Sequence, residues 1–156
     1  MSADINLQFC SAQNVFGNGT TVSSTDWIDW KVAQDLAGGH PPVVEIIVTT
    51  SFATGTSAQF QLVAVDSAGA NPVVLDETPA IAIAGLLAPA AGTPPPSGGK
   101  LIHLRMSPKS ALPTATLTHL RLQTVNVGNN TAGAITAHLI PEAAAAAPAK
   151  AYAAGY

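Results

Sequence analysis

The sequence predicts an all-β fold, a single-domain, jelly-roll-like β-sandwich with a long Pro/Gly loop and an Ala-rich C-terminal tail. Three observations predict it: apolar β-branched runs alternate with Gly/Pro turns at short intervals, no segment carries a convincing helical period, and 156 residues suffice for one core. The clearest run is VVEIIVTTSF at residues 43–52, which follows the punctuated loop QDLAGGHPP. Its apolar residues fall on both parities, so we expect a strand covered on both faces, with Glu45 as its only charge.

Eight strands are expected along the chain, each between turn signals. They lie near residues 6–10, 26–30, 43–52, 58–66, 72–76, 100–106, 117–126 and 132–140. In the fourth strand, alternation places Phe60, Leu62 and Ala64 on one face, which meets the core. Cys10 is expected to be a small apolar filler in the first strand. Between residues 81 and 100, three consecutive prolines at 94–96 predict a long exposed loop.

Residues 1–141 are assigned to the sandwich and residues 142–156 to the Ala-rich tail. The tail, EAAAAAPAKAYAAGY, has no apolar stripe that would anchor it as a helix. Tyr152 and Tyr156 would dock on a neighbouring subunit if the tail is an interface element. A disordered end is the alternative.

Charge and composition narrow the classes of partner. Only 10% of the residues are charged, against about 25% in an average soluble domain, and the net charge is −3. Such a neutral surface indicates a lasting protein partner, or else small Ala and Thr side chains scattered over the outside. Six Lys and Arg residues cannot form the basic stripe that a nucleic-acid partner requires. The longest apolar runs are too short for a membrane helix, and the N-terminus has no secretion signal, so we expect no membrane partner and synthesis in the cytoplasm.

A repeated HLR motif is the most suggestive polar pattern. His103 and Arg105 are echoed by His119 and Arg121, each pair flanking a leucine. If the two strands are neighbours, they form a His/Arg ladder on one face and point Ile102, Leu104, Met106, Leu120 and Leu122 into the core. His138 is a third histidine, but the adjacent arginines oppose a cation, so we expect no metal and no cofactor. The ladder is instead interpreted as a solvated or subunit-facing stripe.

No catalytic constellation is recognised, and the chain is predicted not to be an enzyme. No serine occupies a GxSxG turn, and Asp26 and Asp29, three apart on a strand, point to opposite faces. The same spacing separates Trp27 from Trp30, which predicts one core residue and one interface anchor. Exposed tryptophans also leave open a carbohydrate- or receptor-binding sandwich without catalysis.

Several segments together resemble the Bbp16-like family of tailed-bacteriophage capsid cement, or decoration, proteins. The likeness is carried by INLQFCSAQNV, TDWIDW, QDLAGGHPPVVEIIVTTSF, the strand from Phe60 to Asp66, the HLRL strand and NNTAGAITAHLI, over residues 5–140. The loop reads DLAGG where the family has a DLG-like pattern, and the Pro-rich insertion and the tail are particular to this chain.

The resemblance implies a jelly-roll domain without enzymatic activity on the outer surface of an icosahedral virion. Its partners would be the major capsid protein and further copies of itself, as a homodimer or homotrimer at a symmetry axis. The candidate interface residues are Trp27, Trp30, His103, Arg105, His119, Arg121, Tyr152 and Tyr156.

Overall fold

The computed structural model describes residues 7–30, 43–89, 101–105 and 116–140. Within them the chain forms ten strands: β1 (Gln8–Asn14), β2 (Thr21–Ser23), β3 (Ile28–Asp29), β4 (Val43–Ala53), β5 (Ser57–Val65), β6 (Val73–Glu77), β7 (Ile81–Ala82), β8 (Leu101–Arg105), β9 (His119–Val127) and β10 (Ala132–Ile140). A 3₁₀ turn at Ile83–Gly85 follows β7. The prediction of an all-β sandwich is confirmed.

Two antiparallel sheets make up the sandwich. One has four strands in the order β1-β10-β4-β8. The other has the order β2-β9-β5-β6, with β3 also paired to β9 and β7 to β5. Four of the strand pairs are nested along the chain: β1 with β10, β2 with β9, β4 with β8 and β5 with β6. Two further pairs, β4 with β10 and β5 with β9, join them into the two sheets. The chain is therefore folded like one long hairpin wrapped around a core.

The core lies between the two sheets and is filled from both. Every second residue of β5 faces it, including the buried Phe60 and Leu62, as the alternation predicts. Phe60 meets Phe52 of β4 edge-on, with the ring centroids 6.3 Å apart. Cys10 is also buried here, and burial raises the pKa of its thiol to about 11, in agreement with its expected role as a filler.

The prediction that β4 is covered on both faces is right for its first half and wrong for its second. The consecutive residues Val43 and Val44 are both buried, whereas Thr49 and Thr50 are exposed. In the described residues, β8 pairs with β4 from Val43 to Ile47, which is the half of β4 that is covered on both faces.

The remaining differences concern short or irregular strands. Strands β2 and β7 were not expected, and the strand predicted at 26–30 is reduced to Ile28–Asp29. β1 continues to Asn14 through two register shifts, with Ala12 at a positive φ of 44°, which obscures the alternation in the sequence. The prediction of a long exposed loop at 81–100 is wrong for its first part, where β7 and the 3₁₀ turn occur and Ile83 and Leu86 are buried in the core. The three prolines at 94–96, Met106, the Ala-rich tail and Tyr152 and Tyr156 lie outside the described residues.

Candidate interaction surfaces

The predicted His/Arg ladder is wrong because the two HLR strands are not neighbours. β8 is an edge of the four-stranded sheet, whereas β9 lies inside the six-stranded sheet. His103 and His119 therefore belong to different sheets. The leucines of both motifs, Leu104 and Leu120, are buried as expected. Of Arg105 only the backbone is described, and it is paired with Val43.

His103 instead belongs to a polar row across the outer face of the four-stranded sheet. Glu45 lies opposite His103 of β8 on one side and His138 of β10 on the other. The Nε2 atom of His103 is 3.3 Å from Glu45 Oε2, and the Nε2 atom of His138 is 3.0 Å from Oε1. These two hydrogen bonds lower the pKa of the Glu45 carboxyl to about 2, although burial opposes the shift. The row ties three strands together.

The geometry of this row does not favour a metal. Both carboxylate oxygens of Glu45 accept from imidazoles, and His119 lies in the other sheet. Among the residues that the structure describes, no three His, Cys, Asp or Glu side chains are grouped so that they could hold a metal ion. The sequence marks Glu45 only as the lone charge of an apolar strand, because its partners depend on the strand order.

Trp27 and Arg121 form a second cluster, on the six-stranded sheet. The Arg121 guanidinium lies 5.1 Å from the centroid of the Trp27 ring. Its Nε and Nη2 atoms donate to the carbonyl oxygen of Ser24, at 2.9 and 2.7 Å, and Nη1 donates to that of Gly69 at 2.7 Å. We call Trp27, Arg121 and these two backbone supports the Trp-Arg platform.

A tight turn after β5 supports the platform. Asp66 Oδ1 accepts from the backbone N–H groups of Ala68 and Ala70, and Oδ2 accepts from the Asn71 side chain. These bonds, led by that of Ala70, lower the pKa of the Asp66 carboxyl. Gly69 adopts a φ of +75° in this turn, and a Cβ there would lie 2.9 Å from the Trp27 ring. The turn therefore needs glycine both for its backbone conformation and for the close approach of the ring.

The two tryptophans differ in burial. Trp27 is 37% exposed, whereas Trp30 packs against the core. Nearby, His119 Nε2 is 3.8 Å from Asp29 Oδ2, and its Nδ1 shares a hydrogen bond with Thr118 Oγ1 at 2.8 Å. Trp27, Arg121 and His119 thus lie at one end of the sandwich, where β9 begins and β5 ends.

The opposite end carries a surface that the sequence did not indicate. Four turns meet there, at residues 15–20, 54–57, 83–89 and 127–131, and we call them the neutral end because none contains a charged residue. Their contacts include Gly19 N to Gly128 O at 3.1 Å, Thr56 N to Val127 O at 2.9 Å and Ile83 N to Thr56 O at 3.2 Å. No motif connects these segments in the sequence; only the sheet topology does.

Two buried asparagines hold the neutral end together. The Asn126 side chain donates to the carbonyl oxygens of Val15 and Thr20, at 2.9 and 3.0 Å. Asn130 donates to the Asn126 side chain at 2.7 Å and to the carbonyl oxygen of Ser57 at 3.3 Å. At Gly55 a Cβ would lie only 1.3 Å from Asn130 Oδ1, so the turn tolerates no side chain. The turns are consequently fixed by the fold.

Apolar side chains project from this rigid base. Phe16 is 37% exposed, Val127 48% and Leu87 50%. The charged residues of the described chain all lie elsewhere: Asp26, Asp29, Glu45, Asp66, Asp76, Glu77, Arg105 and Arg121. Within the described residues, the two ends of the sandwich therefore differ in charge.

Comparison with protein-family models and with curated proteins finds no match to the chain. Function is accordingly inferred from the two surfaces and from the resemblance in the sequence. In the parts of the chain that the structure describes, no helix is long and apolar enough to cross a membrane.

Proposed function

We propose that the protein is a structural cement protein of a bacteriophage virion. It binds the outer surface of an icosahedral capsid and stabilises it by bridging subunits of the major capsid protein. The observation that carries the proposal is the Trp-Arg platform, an exposed tryptophan stacked on an arginine that the fold holds in place. The sequence resemblance to the Bbp16-like family agrees with it.

The platform has the chemistry of a protein-binding anchor. Trp and Arg are enriched among the residues that dominate binding energy at protein interfaces. Three hydrogen bonds use three of the five N–H donors of Arg121, which leaves two without an acceptor among the described residues. Because the side chain is already ordered, docking costs little additional conformational entropy.

The shape and connectivity of the sandwich support a bridging role. The nested pairing of the eight principal strands favours the jelly-roll form of the fold. A rigid body with two different ends can contact two neighbours at once. On a capsid lattice, many such contacts act multivalently, so each can be individually weak while the assembly is strong.

A carbohydrate-binding module is less well supported. Such modules stack sugars on a shared aromatic platform. Among the described aromatic residues the two exposed ones are Phe16 and Trp27, which lie at opposite ends of the sandwich. They cannot form one platform.

The test is co-sedimentation of the purified protein with undecorated capsids. Trp27→Ala should weaken capsid binding by ~30-fold, as expected for removal of a central interface anchor. Trp27→Phe, which keeps an aromatic ring over Arg121, should retain most of the affinity. Equal binding by the alanine variant and the wild type would show that the platform is not part of the capsid interface.

A further inference from the structure

We propose that the Trp-Arg platform receives a carboxylate, the side chain of an Asp or Glu residue on the partner protein. This assignment rests on the proposed function and deepens it, because it names the chemical group that the platform recognises. Its basis is the state of the Arg121 guanidinium, which is fixed in place, keeps unused N–H groups and lies beside apolar side chains.

The Arg121 guanidinium is held by uncharged groups. Its hydrogen bonds go to the carbonyl oxygens of Ser24 and Gly69, and the ring beside it is that of Trp27. Among the residues that the structure describes, the ion pairs are formed by histidines and none includes Arg121. A partly buried cation without a counterion has lost hydration that an incoming anion restores.

The unused donors of Arg121 suit a carboxylate. The carbonyl oxygen of Ser24 accepts from both Nε and Nη2, so it occupies the edge of the guanidinium that these two atoms share. One N–H group of Nη1 donates to Gly69. One N–H group on Nη1 and one on Nη2 are left without an acceptor among the described residues. Two donors on neighbouring nitrogens match the two oxygens of a carboxylate.

Apolar neighbours would strengthen such a contact. Strand register places Val63 of β5 beside Arg121 on the outer face of the sheet, and Val74 of β6 beside Val63. Val63 is buried, whereas Val74 and Trp27 are exposed enough to meet a partner. A carboxylate docked on Arg121 would therefore be shielded from water by an aromatic ring and by valines. A charged hydrogen bond is stronger in such surroundings than in water.

A phosphate group is the other anion that a guanidinium binds well. The described neighbours of the platform favour the carboxylate, because Asp66 follows β5 and Asp29 is paired with His119 at the start of β9. These carboxylates repel a doubly charged phosphate more than a singly charged side chain. Asp66 does not itself compete for Arg121, since both of its oxygens accept hydrogen bonds within its own turn.

The experiment is an NMR titration of the isolated full chain, which follows the Nε–H signal of Arg121 and the indole N–H signal of Trp27. The probe is the capped tripeptide acetyl-Leu-Glu-Leu-amide. The matched control is acetyl-Leu-Gln-Leu-amide, which has nearly the same shape and no charge. Both signals should shift with saturation, and the glutamate peptide should bind at least ~10-fold more tightly, because hydrogen bonds between charged groups are the stronger ones. Added salt should reduce this preference, since the platform is partly exposed.

Arg121→Gln should bind the two peptides equally, because it removes the cation. Circular dichroism verifies that the variant is folded, and if it is not, the comparison of the two peptides on the wild type decides alone. The assignment of a carboxylate fails if the wild type binds both peptides equally or binds neither. It also fails if folded Arg121→Gln keeps the preference, or if inorganic phosphate saturates the same signals at a lower concentration than the glutamate peptide.

The titration contains no capsid, so its result is separate from that of co-sedimentation. Capsid binding without a preference for the glutamate peptide would overturn the carboxylate alone. A clear preference for the glutamate peptide, together with no binding to capsids, would overturn the capsid as the partner and leave the carboxylate site in place.

Discussion

Arg121 illustrates how a single residue acquires a role from its surroundings. The motif HLR occurs twice, yet the structure describes a guanidinium held by three hydrogen bonds only for the second copy. The supports come from the carbonyl oxygens of Ser24 and Gly69, far away in the sequence. The first histidine, His103, enters a different contact altogether, with Glu45. The two identical tripeptides thus make different contacts because their strands lie in different sheets.

Gly69→Ala tests the support of the Trp-Arg platform. The new methyl group would lie within 3 Å of the Trp27 ring and force alanine to a φ of +75°. Gly19→Ala is the matched control, because Gly19 also has a positive φ, +60°, but nothing lies within 4 Å of its Cβ position. Both variants bear the backbone strain, and Gly69→Ala should lose at least about 1 kcal/mol more from the added steric overlap. Urea denaturation measures the difference, and equal losses would contradict the packing described for Trp27.

At the scale of elements, β4 organises the four-stranded sheet. It lies between β10 and β8, and Glu45 bonds to a histidine on each neighbour. The carboxylate is largely shielded from solvent, and each of its oxygens accepts a hydrogen bond from one of the two imidazoles. A charge in the middle of an apolar strand therefore stabilises the sheet through cross-strand pairs.

This arrangement predicts a defined loss of stability in acid. The pKa of Glu45 is about 2 in the folded protein and about 4.5 as its ordinary value. Because the folded pKa is the lower one, the unfolded state binds more protons between these limits, and stability falls as pH drops from about 4.5 to about 2. The contribution amounts to about 3 kcal/mol.

Glu45→Gln removes this titration. The difference in unfolding free energy between wild type and variant should therefore shrink as pH falls through that window. Urea denaturation at pH 5 and pH 2.5 measures it. A difference that stays constant between the two pH values would show that the histidines do not stabilise the ionised carboxylate.

The strands themselves were largely predictable, and their pairing was not. Alternation located β5 and placed Phe60 and Leu62 on the face that meets the core. The end of β5 is buried on both faces, since Val63 and Val65 are buried as well as Leu62 and Ala64. The short strands β2 and β7 have too few residues to establish a period. The irregular end of β1 was not predictable from the sequence either, because its bulges break the alternation.

Strand order decides which polar residues meet, and the sequence of the chain contains no local signal for it. The pairing of Glu45 with His103 joins residues 58 positions apart, and its pairing with His138 spans an even longer separation. The neutral end unites four turns from distant segments for the same reason. Composition indicated a surface poor in charge, but only the folded chain gathers the uncharged turns at one end.

At the scale of the whole molecule, the separation of the two ends is the central feature. The Trp-Arg platform lies at the end of the sandwich where β9 begins and β5 ends. The exposed apolar side chains Phe16, Leu87 and Val127 lie at the neutral end. A cement protein that contacts neighbouring subunits of the shell through different faces would bridge them. Every contact would then add to the cohesion of the shell.

The most direct test is electron cryomicroscopy of undecorated capsids incubated with the protein. The account predicts extra density on the outer capsid surface, with the Trp27 end of each sandwich facing the shell. Capsids that remain bare at saturating protein concentration would contradict the proposed function, and density oriented with Trp27 away from the shell would contradict the assignment of the two ends.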